Sequence, residues 1–389
     1  MNTQRVVLAL PFLAMLVQPK PVWAVPITEN LDVGGAIRGR LDIDPDRDIS
    51  KFDFDTLILR ADYNSEQWIG SAQYRLYGNA YPYRYTDDIG DIAFFEHAWI
   101  GYKFSPAHQL QVGQTDIPFG LGGYFGNTFF ETLGNVIGLE DTQDLGIKYV
   151  GKFDLWDFSA AYYPVSAQQG RGTSRGGRTY GTSVASADDY VAQGSDNEER
   201  DILVGRLARH YSAGEWQGEV GLSLLSSTLH NNDTNRDGQR LAAALHLKSQ
   251  HGPLGFQTMA ARQQMTPKNP EADTLVSFGG FDATFNVAAK GNLYVADVSY
   301  ELAPHFGWLS KVKIYGNYSL FDKDQKHFKD SQRAILGTSF NLGPVWVAME
   351  WLHGRNDPYI GGSDFTQSLA AGGSNRWENQ IYGNIGYYF

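Results

Sequence analysis

The chain has 389 residues, no cysteine and a formal charge of −11 at pH 7. The acidic balance argues against a nucleic-acid partner, which requires a basic surface, and the absence of cysteine excludes disulfides and thiolate catalysis. The 43 glycines, 22 tyrosines, 22 phenylalanines and 9 tryptophans favour β-sheet over helix.

The first 24 residues have the layout of a secretory signal peptide. Arg5 gives a positive start, residues 6–17 are apolar, and Val22-Trp23-Ala24 fits a small-residue cleavage site. We expect cleavage there, which leaves residues 25–389 as one domain. Removing the two basic residues of this segment, from a total of 32, leaves 30 against 43 acidic residues, a charge of −13.

From residue 31 onward, apolar and polar residues alternate. In "LDVGGAIRGRLDI" (31–43) every odd position is apolar or glycine, while charged residues such as Arg38 and Arg40 occupy even positions. The period of two predicts β-strands, and its length fits the 9 to 11 residues of a tilted membrane strand. Sixteen such segments are predicted: 31–43, 54–64, 67–78, 92–104, 108–115, 144–150, 153–163, 201–211, 215–227, 240–250, 254–265, 290–302, 309–321, 332–342, 345–355 and 376–389.

Two of these segments interrupt the alternation. The 92–104 segment places Glu96 on its apolar face, and the 201–211 segment does the same with Arg209. A β-bulge or a position at the membrane interface explains either case.

The connections between the predicted strands alternate in length. Every even-numbered junction is short, such as "SEQ", "GK" and "GP", whereas most odd-numbered junctions are long: 79–91, 116–143, 164–200, 228–239, 266–289 and 356–375. Outer-membrane barrels typically have an even number of strands, with short turns at one end and long loops at the other. The sequence therefore predicts an all-β, transmembrane antiparallel β-barrel of 16 strands, with short periplasmic turns and long extracellular loops.

The last predicted strand, "NQIYGNIGYYF", is amphipathic and stops at Phe389. Because every backbone group in lipid must be paired, we expect this strand to close against the first one. A C-terminal strand that ends in Phe resembles the assembly signal of Gram-negative outer-membrane proteins.

The segment "LQVGQTDIPFG" (110–120) resembles the Gram-negative outer-membrane porin superfamily, most closely its phosphate-selective porin O/P-like branch, through Val112-Gly113-Gln114 and Pro118-Phe119-Gly120. The resemblance implies a 16-stranded barrel, usually a homotrimer in outer-membrane lipid, that conducts small hydrophilic solutes. It also implies that the loop 116–143 folds into the lumen. The sequence departs from the phosphate-specific pattern in having no obvious arginine ladder.

The strand phases assign twelve basic residues to the lumen, more than the acids there, although the whole chain is acidic. In a narrow bore such a wall favours anions mildly; the alternative is that these charges only solvate a wide neutral pore. The residues predicted to line the pore are Arg38, Arg40, Arg60, Arg75, Lys103, Lys148, Arg206, Lys248, Lys311, Lys313, Arg333 and Arg376.

The loop 116–143 is the predicted constriction. Its acids, facing a basic wall, would create a transverse field, and its aromatic residues would either stack on sugar rings, as in a sugar or oligosaccharide channel, or pin the loop to the wall. The candidate residues are Asp116, Pro118, Phe119, Tyr124, Phe125, Phe129, Phe130, Glu131, Glu140 and Asp141.

One cofactor motif is present. "DTNRDG" (233–238) matches the first half of a calcium loop, with Asp233, Asn235 and Asp237 as ligands. The twelfth position is Ala244, where a bidentate Glu is expected, and such Asx-rich loops are also ordinary turns.

No nucleophile elbow or metalloprotease motif is present, so the sequence predicts a protein that is not an enzyme. A porin that passes small hydrophilic solutes by diffusion is the leading hypothesis. A barrel enzyme and a non-conducting adhesion barrel are the alternatives from other classes. Outer-membrane lipid and lipopolysaccharide are the expected surroundings.

Overall fold

The computed structural model describes residues 25–79, 88–303, 307–360 and 364–389. The predicted signal peptide, residues 1–24, lies outside the described residues. Within them the regular secondary structure is almost entirely β-strand, with one short helix, α1 (Leu133–Val136), and one 3-10 turn (Pro45–Arg47). No helix in these ranges is long and apolar enough to cross a membrane.

Sixteen long strands form one closed antiparallel sheet. All sixteen correspond to predicted segments, mostly with ends shifted by a few residues. They are β2 (Leu31–Asp44), β3 (Ile49–Asn64), β4 (Trp68–Tyr77), β5 (Ala93–Ser105), β6 (His108–Asp116), β7 (Gln143–Phe153), β8 (Trp156–Ser166), β10 (Asn197–Ala213), β11 (Trp216–Asn231), β12 (Arg236–His251), β13 (Leu254–Thr266), β16 (Lys290–Leu302), β17 (Leu309–Lys323), β18 (Ser331–Leu342), β19 (Val345–Arg355) and β20 (Trp377–Tyr388).

The barrel closes between its first and last long strands, as predicted. β20 pairs with β2 from Ala36↔Tyr388 to Ile43↔Ile381. The backbones of Gly35 and Phe389 then exchange two hydrogen bonds of 2.7 and 3.0 Å. Closure leaves no free sheet edge, which is the condition for a sheet in lipid. A four-residue strand, β1 (Val25–Thr28), adds to β2 at its start.

The two faces of the strands differ as the alternation predicts. In β2 the side chain of Ile37 is 50% exposed on the outer surface, whereas its neighbour Arg38 is 6% exposed and points inward. Leu59, Ile100, Leu245 and Leu336 are likewise large apolar residues on the outside. An apolar exterior around a polar interior is the arrangement of a membrane barrel.

Both interruptions of the pattern have a local cause. β4 and β5 change register between Gln73↔His97 and Tyr74↔Phe95, so that Glu96 is the extra residue of a bulge. The bulge turns Glu96 inward, where it binds Arg75. Arg209 stays on the outside, near the short connection at 214–215, with its guanidinium 5.6 Å from the ring centre of Trp156.

The long and short connections lie at opposite ends of the barrel. One predicted long loop, 228–239, is largely strand, because β11 and β12 continue as a hairpin with a turn only at 232–235. His230 and Asp237 face each other across this hairpin, with the imidazole and carboxylate 2.7 Å apart. Polar residues at these positions favour a loop in the sequence, although here they pair across two strands.

Two other predicted loops contain strands. β9 (Ser183–Val184), β14 (Leu275–Gly280) and β15 (Ala283–Ala288) form a small separate sheet in the 167–196 and 267–289 connections. Val276, Phe278, Phe285 and Val287 are at most 1% exposed. Sequence reasoning missed this sheet because its strands are buried on both faces and too short to show alternation.

The interior contains an apolar core as well as polar groups. Phe119, Phe125, Leu133 and Ile137 of the inward loop are at most 1% exposed and pack in one cluster with inward residues of the wall. Burial of each such side chain stabilises the folded state by about 1.5–3 kcal/mol. The wide bore expected from sixteen strands is therefore partly filled. The wall residues of this cluster include Val204, Leu225, Met259, Val295 and Phe321.

Candidate functional site: a slot between the inward loop and an arginine wall

The inward loop, residues 117–142, leaves the barrel wall at the Pro118-Phe119-Gly120 motif. Gly120 has a φ of +58°, which disfavours other residues, and its backbone bonds to side chains of β10 and β11. Its N–H donates to Ser223 Oγ at 3.0 Å, and its carbonyl accepts from Arg206 Nε at 2.9 Å. Asp116, just before the loop, binds Lys148 at 2.6 Å. This turn therefore directs the loop across the lumen.

Two carboxylates of the wall hold the loop in place. Asp297 of β16 accepts from Asn127, at 3.0 Å from its backbone N–H. Glu350 of β19 accepts the N–H groups of Phe129 and Phe130 at 2.6 and 2.9 Å. Charge-assisted bonds of this kind are about twice as strong as neutral ones, so the wall fixes the aromatic part of the loop.

A third carboxylate, Glu140, organises the loop from within. It is 1% exposed and accepts from the N–H groups of Phe125 at 2.7 Å and Thr132 at 3.1 Å. Thr132 in turn caps α1 through Gly134 N–H at 3.0 Å. Burial raises the pKa of Glu140 to about 7, although these hydrogen bonds partly oppose the shift.

Glu131 and Asp141 are acids of the same loop with left-handed backbones, φ +66° and +49°. Asp141 accepts from Gln143 at 2.9 Å and from the Tyr180 hydroxyl. Burial raises the pKa of Asp141 to about 6, and burial together with repulsion from Asp141 raises the pKa of Glu131 well above its ordinary value. The constriction loop thus carries less negative charge at neutral pH than its sequence suggests.

Four arginines face this loop. Arg38, Arg40 and Arg75 come from β2 and β4, Arg333 from β18, and each is at most 8% exposed. They come from distant parts of the chain and show no regular spacing. Closure of the barrel brings these residues to one cavity. The absence of an arginine ladder of the phosphate-specific kind stays a prediction.

Each arginine has its own acidic partner. Arg40 holds Asp42 through two bonds of 2.7 and 2.9 Å, and Arg75 holds Glu96. Arg38 Nη2 lies 3.2 Å from Asp55 Oδ2.

Arg333 is held most completely. It binds Asp357 through bonds of 2.7 and 3.0 Å, and its third nitrogen donates to the carbonyls of Glu131 and Thr132, both at 3.1 Å. This arginine therefore fixes the loop as well as contributing charge to the cavity.

Each guanidinium also lies against an aromatic ring. The distances from guanidinium carbon to ring centre are 5.4 Å for Arg38 and Phe129, 4.8 Å for Arg40 and Tyr382, 4.3 Å for Arg75 and Tyr180, and 5.1 Å for Arg333 and Phe130. Contacts within 6 Å are attractive cation–π interactions. They fix the orientation of the arginines without neutralising their charge.

The space between loop and wall is a slot of about 390 Å³. All four arginines line it, whereas Asp42, Glu96 and Asp357 do not; Asp55 and Glu131 are the acids among its lining residues. The positive ends of these ion pairs therefore face the slot. Tyr180, Phe281 and Tyr359, from long connections, also line it, and Asn127 is shared with cavities at the short-connection end.

The predicted loop residues divide between the slot and the core. Tyr124, Phe129, Phe130 and Glu131 line the slot. Pro118, Phe119, Phe125 and Glu140 are buried, Asp141 is 8% exposed, and Asp116 lies at the end of β6. Phe119 and Phe125 thus pack the loop against the wall, whereas Tyr124, Phe129 and Phe130 face the cavity. Stacking on sugar rings stays a prediction.

The other predicted basic residues lie away from the slot. Lys148 and Arg206 hold the start of the inward loop, through Asp116 and the carbonyl of Gly120. Lys248, Lys311 and Lys313 line cavities at the short-connection end, and Lys313 donates to Asn127 at 3.0 Å.

The three remaining residues lie near strand ends. Lys103 binds Asn64 at 2.9 Å beside a short turn. Arg60 is paired with Asp62 and about half exposed, and Arg376 precedes β20 and is exposed.

Arg240 was missed by sequence reasoning. It is 3% exposed on β12 and binds Glu199, Gln263 and the carbonyl of Gly138. Its even-numbered position has the inward phase that Lys248 has in the same strand. The alternation of the predicted 240–250 segment therefore assigns it to the lumen, although it was left out of the predicted pore-lining residues.

One mixed cluster lies at the short-connection end. Asp157, His210 and Glu219 each place a ligand atom within 4.8 Å of the others. Asp157 already binds His210 at 2.8 Å, and Glu219 binds Arg206 at 2.5 Å. The cluster therefore works as an ion-pair network of the wall.

The candidate calcium residues lie around the exposed turn between β11 and β12. Asp233 and Asn235 are in the 232–235 connection, and Asn235 has a φ of +51°. The Asp237 carboxylate binds His230 at 2.7 Å. Calcium binding there stays a prediction.

Comparison with known proteins identifies the architecture. No protein-family model and no curated protein matches the chain. The outer-membrane channel DcaP of Acinetobacter baumannii aligns with a TM-score of 0.59 at 11% identity, over 95% of this chain and 100% of that one. The chain has the fold of outer-membrane porins. Salmonella typhi OmpF, in complex with daunomycin, aligns at 0.58 and 13% identity, over 92% and 98% of the two chains. An anion-selective porin from Comamonas acidovorans aligns at 0.54 and 12%, over 92% and 99%.

Proposed function

We propose that the chain is an outer-membrane porin whose slot passes small hydrophilic solutes by diffusion, with a preference for anions. The observation that carries this proposal is the cavity between inward loop and wall, lined by Arg38, Arg40, Arg75 and Arg333. Three of their four acidic partners lie outside the lining of that cavity.

The physical basis is the field inside a narrow, low-dielectric passage. Selectivity in such a passage comes from the side chains at its constriction, and a lining of one sign concentrates ions of the opposite sign. Glu131, the acid of the loop side, has a pKa shifted upward by burial, so its opposing charge is weakened. The architecture shared with an anion-selective porin supports the same assignment.

Planar-bilayer recording of the purified protein tests this function. We expect stepwise currents of low conductance, because the slot is small, and a reversal potential in a KCl gradient that shows chloride passing more readily than potassium. A preference for potassium would overturn the anion assignment, and an absence of current would overturn the channel assignment.

The sugar channel remains the second candidate because of the aromatic residues in the slot. Phe129 and Tyr382 are stacked, with ring centres 5.9 Å apart and planes at 15°, and such surfaces suit sugar rings. Block of the current by malto-oligosaccharides, with no effect of charge substitution at Arg38, would favour this alternative.

Assembly and surroundings belong to the same proposal. We propose a homotrimer exported through the predicted signal peptide, in contact with lipid and lipopolysaccharide; a Vibrio cholerae outer-membrane protein of similar fold has a form described as a trimer. Membership of the O/P-like branch rests on Val112-Gly113-Gln114 and Pro118-Phe119-Gly120. Light scattering in detergent measures the mass that tests the trimer.

A further inference from the structure

The slot contains a charged group whose hydrogen bonding is incomplete. Arg38 is 6% exposed, and its Nη2 donates to Thr56 Oγ1 at 3.0 Å and lies 3.2 Å from Asp55 Oδ2. Its Nε is buried and has no hydrogen-bond partner. A buried charged donor without a partner is costly, so a ligand oxygen placed there would gain a favourable bond.

Flat aromatic surfaces lie beside this donor. The ring centre of Phe129 lies 5.4 Å from the guanidinium carbon of Arg38 and 5.1 Å from the ring centre of Trp346. Tyr388 also lines the slot, and its ring centre is 6.4 Å from that of Trp346. Aromatic groups attract a further ring in edge-to-face or offset geometry, so one side of the slot suits a planar apolar group.

These two features select one class of solute. A hydrated inorganic anion would use Arg38 and leave the aromatic surfaces facing water, whereas a neutral sugar would bring a hydroxyl acceptor to the Nε without the negative charge that strengthens such a bond. Building on the proposed anion channel, we propose that the slot binds small aromatic carboxylates, with the carboxylate at Arg38 and the ring against Phe129 and Trp346. A volume of about 390 Å³ is within the range of small-molecule sites.

The test compares benzoate with cyclohexanecarboxylate, which has the same charge and a similar size but no aromatic ring. Chloride current through single channels is recorded with each added, and binding is measured separately by calorimetry in detergent. We expect benzoate to block and bind at concentrations about two- to tenfold lower, the range that one aromatic contact supplies. Inorganic phosphate should block more weakly than either.

Three variants locate the effect. Arg38→Gln should weaken the binding of benzoate and of cyclohexanecarboxylate alike, whereas Phe129→Leu should reduce only the difference between them, because Trp346 remains. Arg60→Gln is the matched control, because Arg60 lies outside the slot, is paired with Asp62 and is about half exposed. Heat-modifiable migration in detergent gels shows that each variant has folded.

The outcomes separate this inference from the proposed function. Anion-selective currents with equal block by the two carboxylates would overturn the aromatic preference and leave the channel intact. Ring-selective binding by calorimetry in a protein that passes no current would overturn the channel and support the site. Equal weakening by Arg60→Gln and Arg38→Gln would overturn the location.

Discussion

Replacing Glu350 by alanine should release the aromatic part of the inward loop. Glu350 is 2% exposed and accepts the N–H groups of Phe129 and Phe130 at 2.6 and 2.9 Å. It also accepts from the Tyr315 hydroxyl at 2.7 Å. Alanine offers none of these acceptors, so two backbone donors of the loop lose their partner.

The size of the effect follows from the bonds that are lost. A hydrogen bond to a charged group contributes about 1.5–3 kcal/mol, so the two backbone bonds anchor this segment by about 3–6 kcal/mol. At 1.4 kcal/mol per factor of ten, the released conformation becomes about 100-fold more populated, or more. Phe129 then leaves its position 5.4 Å from the Arg38 guanidinium.

Single-channel recording measures the consequence. Glu350→Ala should give a larger and noisier conductance, because the slot is bounded on one side by the released segment. Glu350→Gln is the graded comparison: its one amide oxygen can accept from Phe129 N–H, but its NH2 group cannot accept from Phe130 N–H, so we expect an intermediate conductance and noise. Unchanged conductance and noise in the folded alanine variant would refute the view that this carboxylate fixes the constriction.

Three further predictions concern the wall, an ion pair and pH. Ile37→Arg, on the lipid-facing side, should lower the free energy of unfolding by about 2–4 kcal/mol if position 37 lies near the midplane, and urea unfolding in lipid vesicles measures this. Arg38→Gln, on the inner side, should leave assembly intact, so equal effects of the two substitutions would contradict the face assignment. Asp357→Ala should lower the free energy of unfolding by about 3–5 kcal/mol, because it leaves the 1%-exposed Arg333 without its acidic partner. An unchanged unfolding midpoint would contradict a stabilising role for this ion pair. Burial raises the pKa of Glu140 to about 7, so on raising pH the unfolded chain loses this proton first. Stability from this group is present below about pH 4 and declines toward pH 7, so loop noise should increase over this range. Glu140→Gln should reduce the change, and the part that remains is expected from Asp141 and Glu131, whose pKa values are also raised; an unchanged pH profile in this variant would contradict the role of Glu140.

The fold was predictable from sequence because its physics is local. Alternation of period two reports which face of each strand meets lipid, and this signal is independent of the partner strand. It located β2, with Ile37 outside and Arg38 inside, without any knowledge of pairing. The same rule failed at Glu96, where one extra residue in β5 reverses the faces.

The site was only partly predictable because it depends on closure of the barrel. Arg38 and Arg333 are almost 300 positions apart, and no spacing rule relates them. Their identity as inward residues followed from strand phase, but their convergence on the same slot required the geometry of the sheet and of the loop. The apolar packing of Phe119 and Phe125 inside the barrel was also hidden, since aromatic residues in a loop suggest either a ligand surface or a core.

The central claim is that ions cross the barrel through the slot, and cysteine modification tests it most directly because the chain has no cysteine. Tyr124 lines the slot and is 50% exposed, and Tyr190 is 52% exposed in the 167–196 connection and does not line it. A bulky, water-soluble thiol reagent should remove most of the current through Tyr124→Cys and little through Tyr190→Cys. Equal currents in the two fully labelled variants would contradict the account.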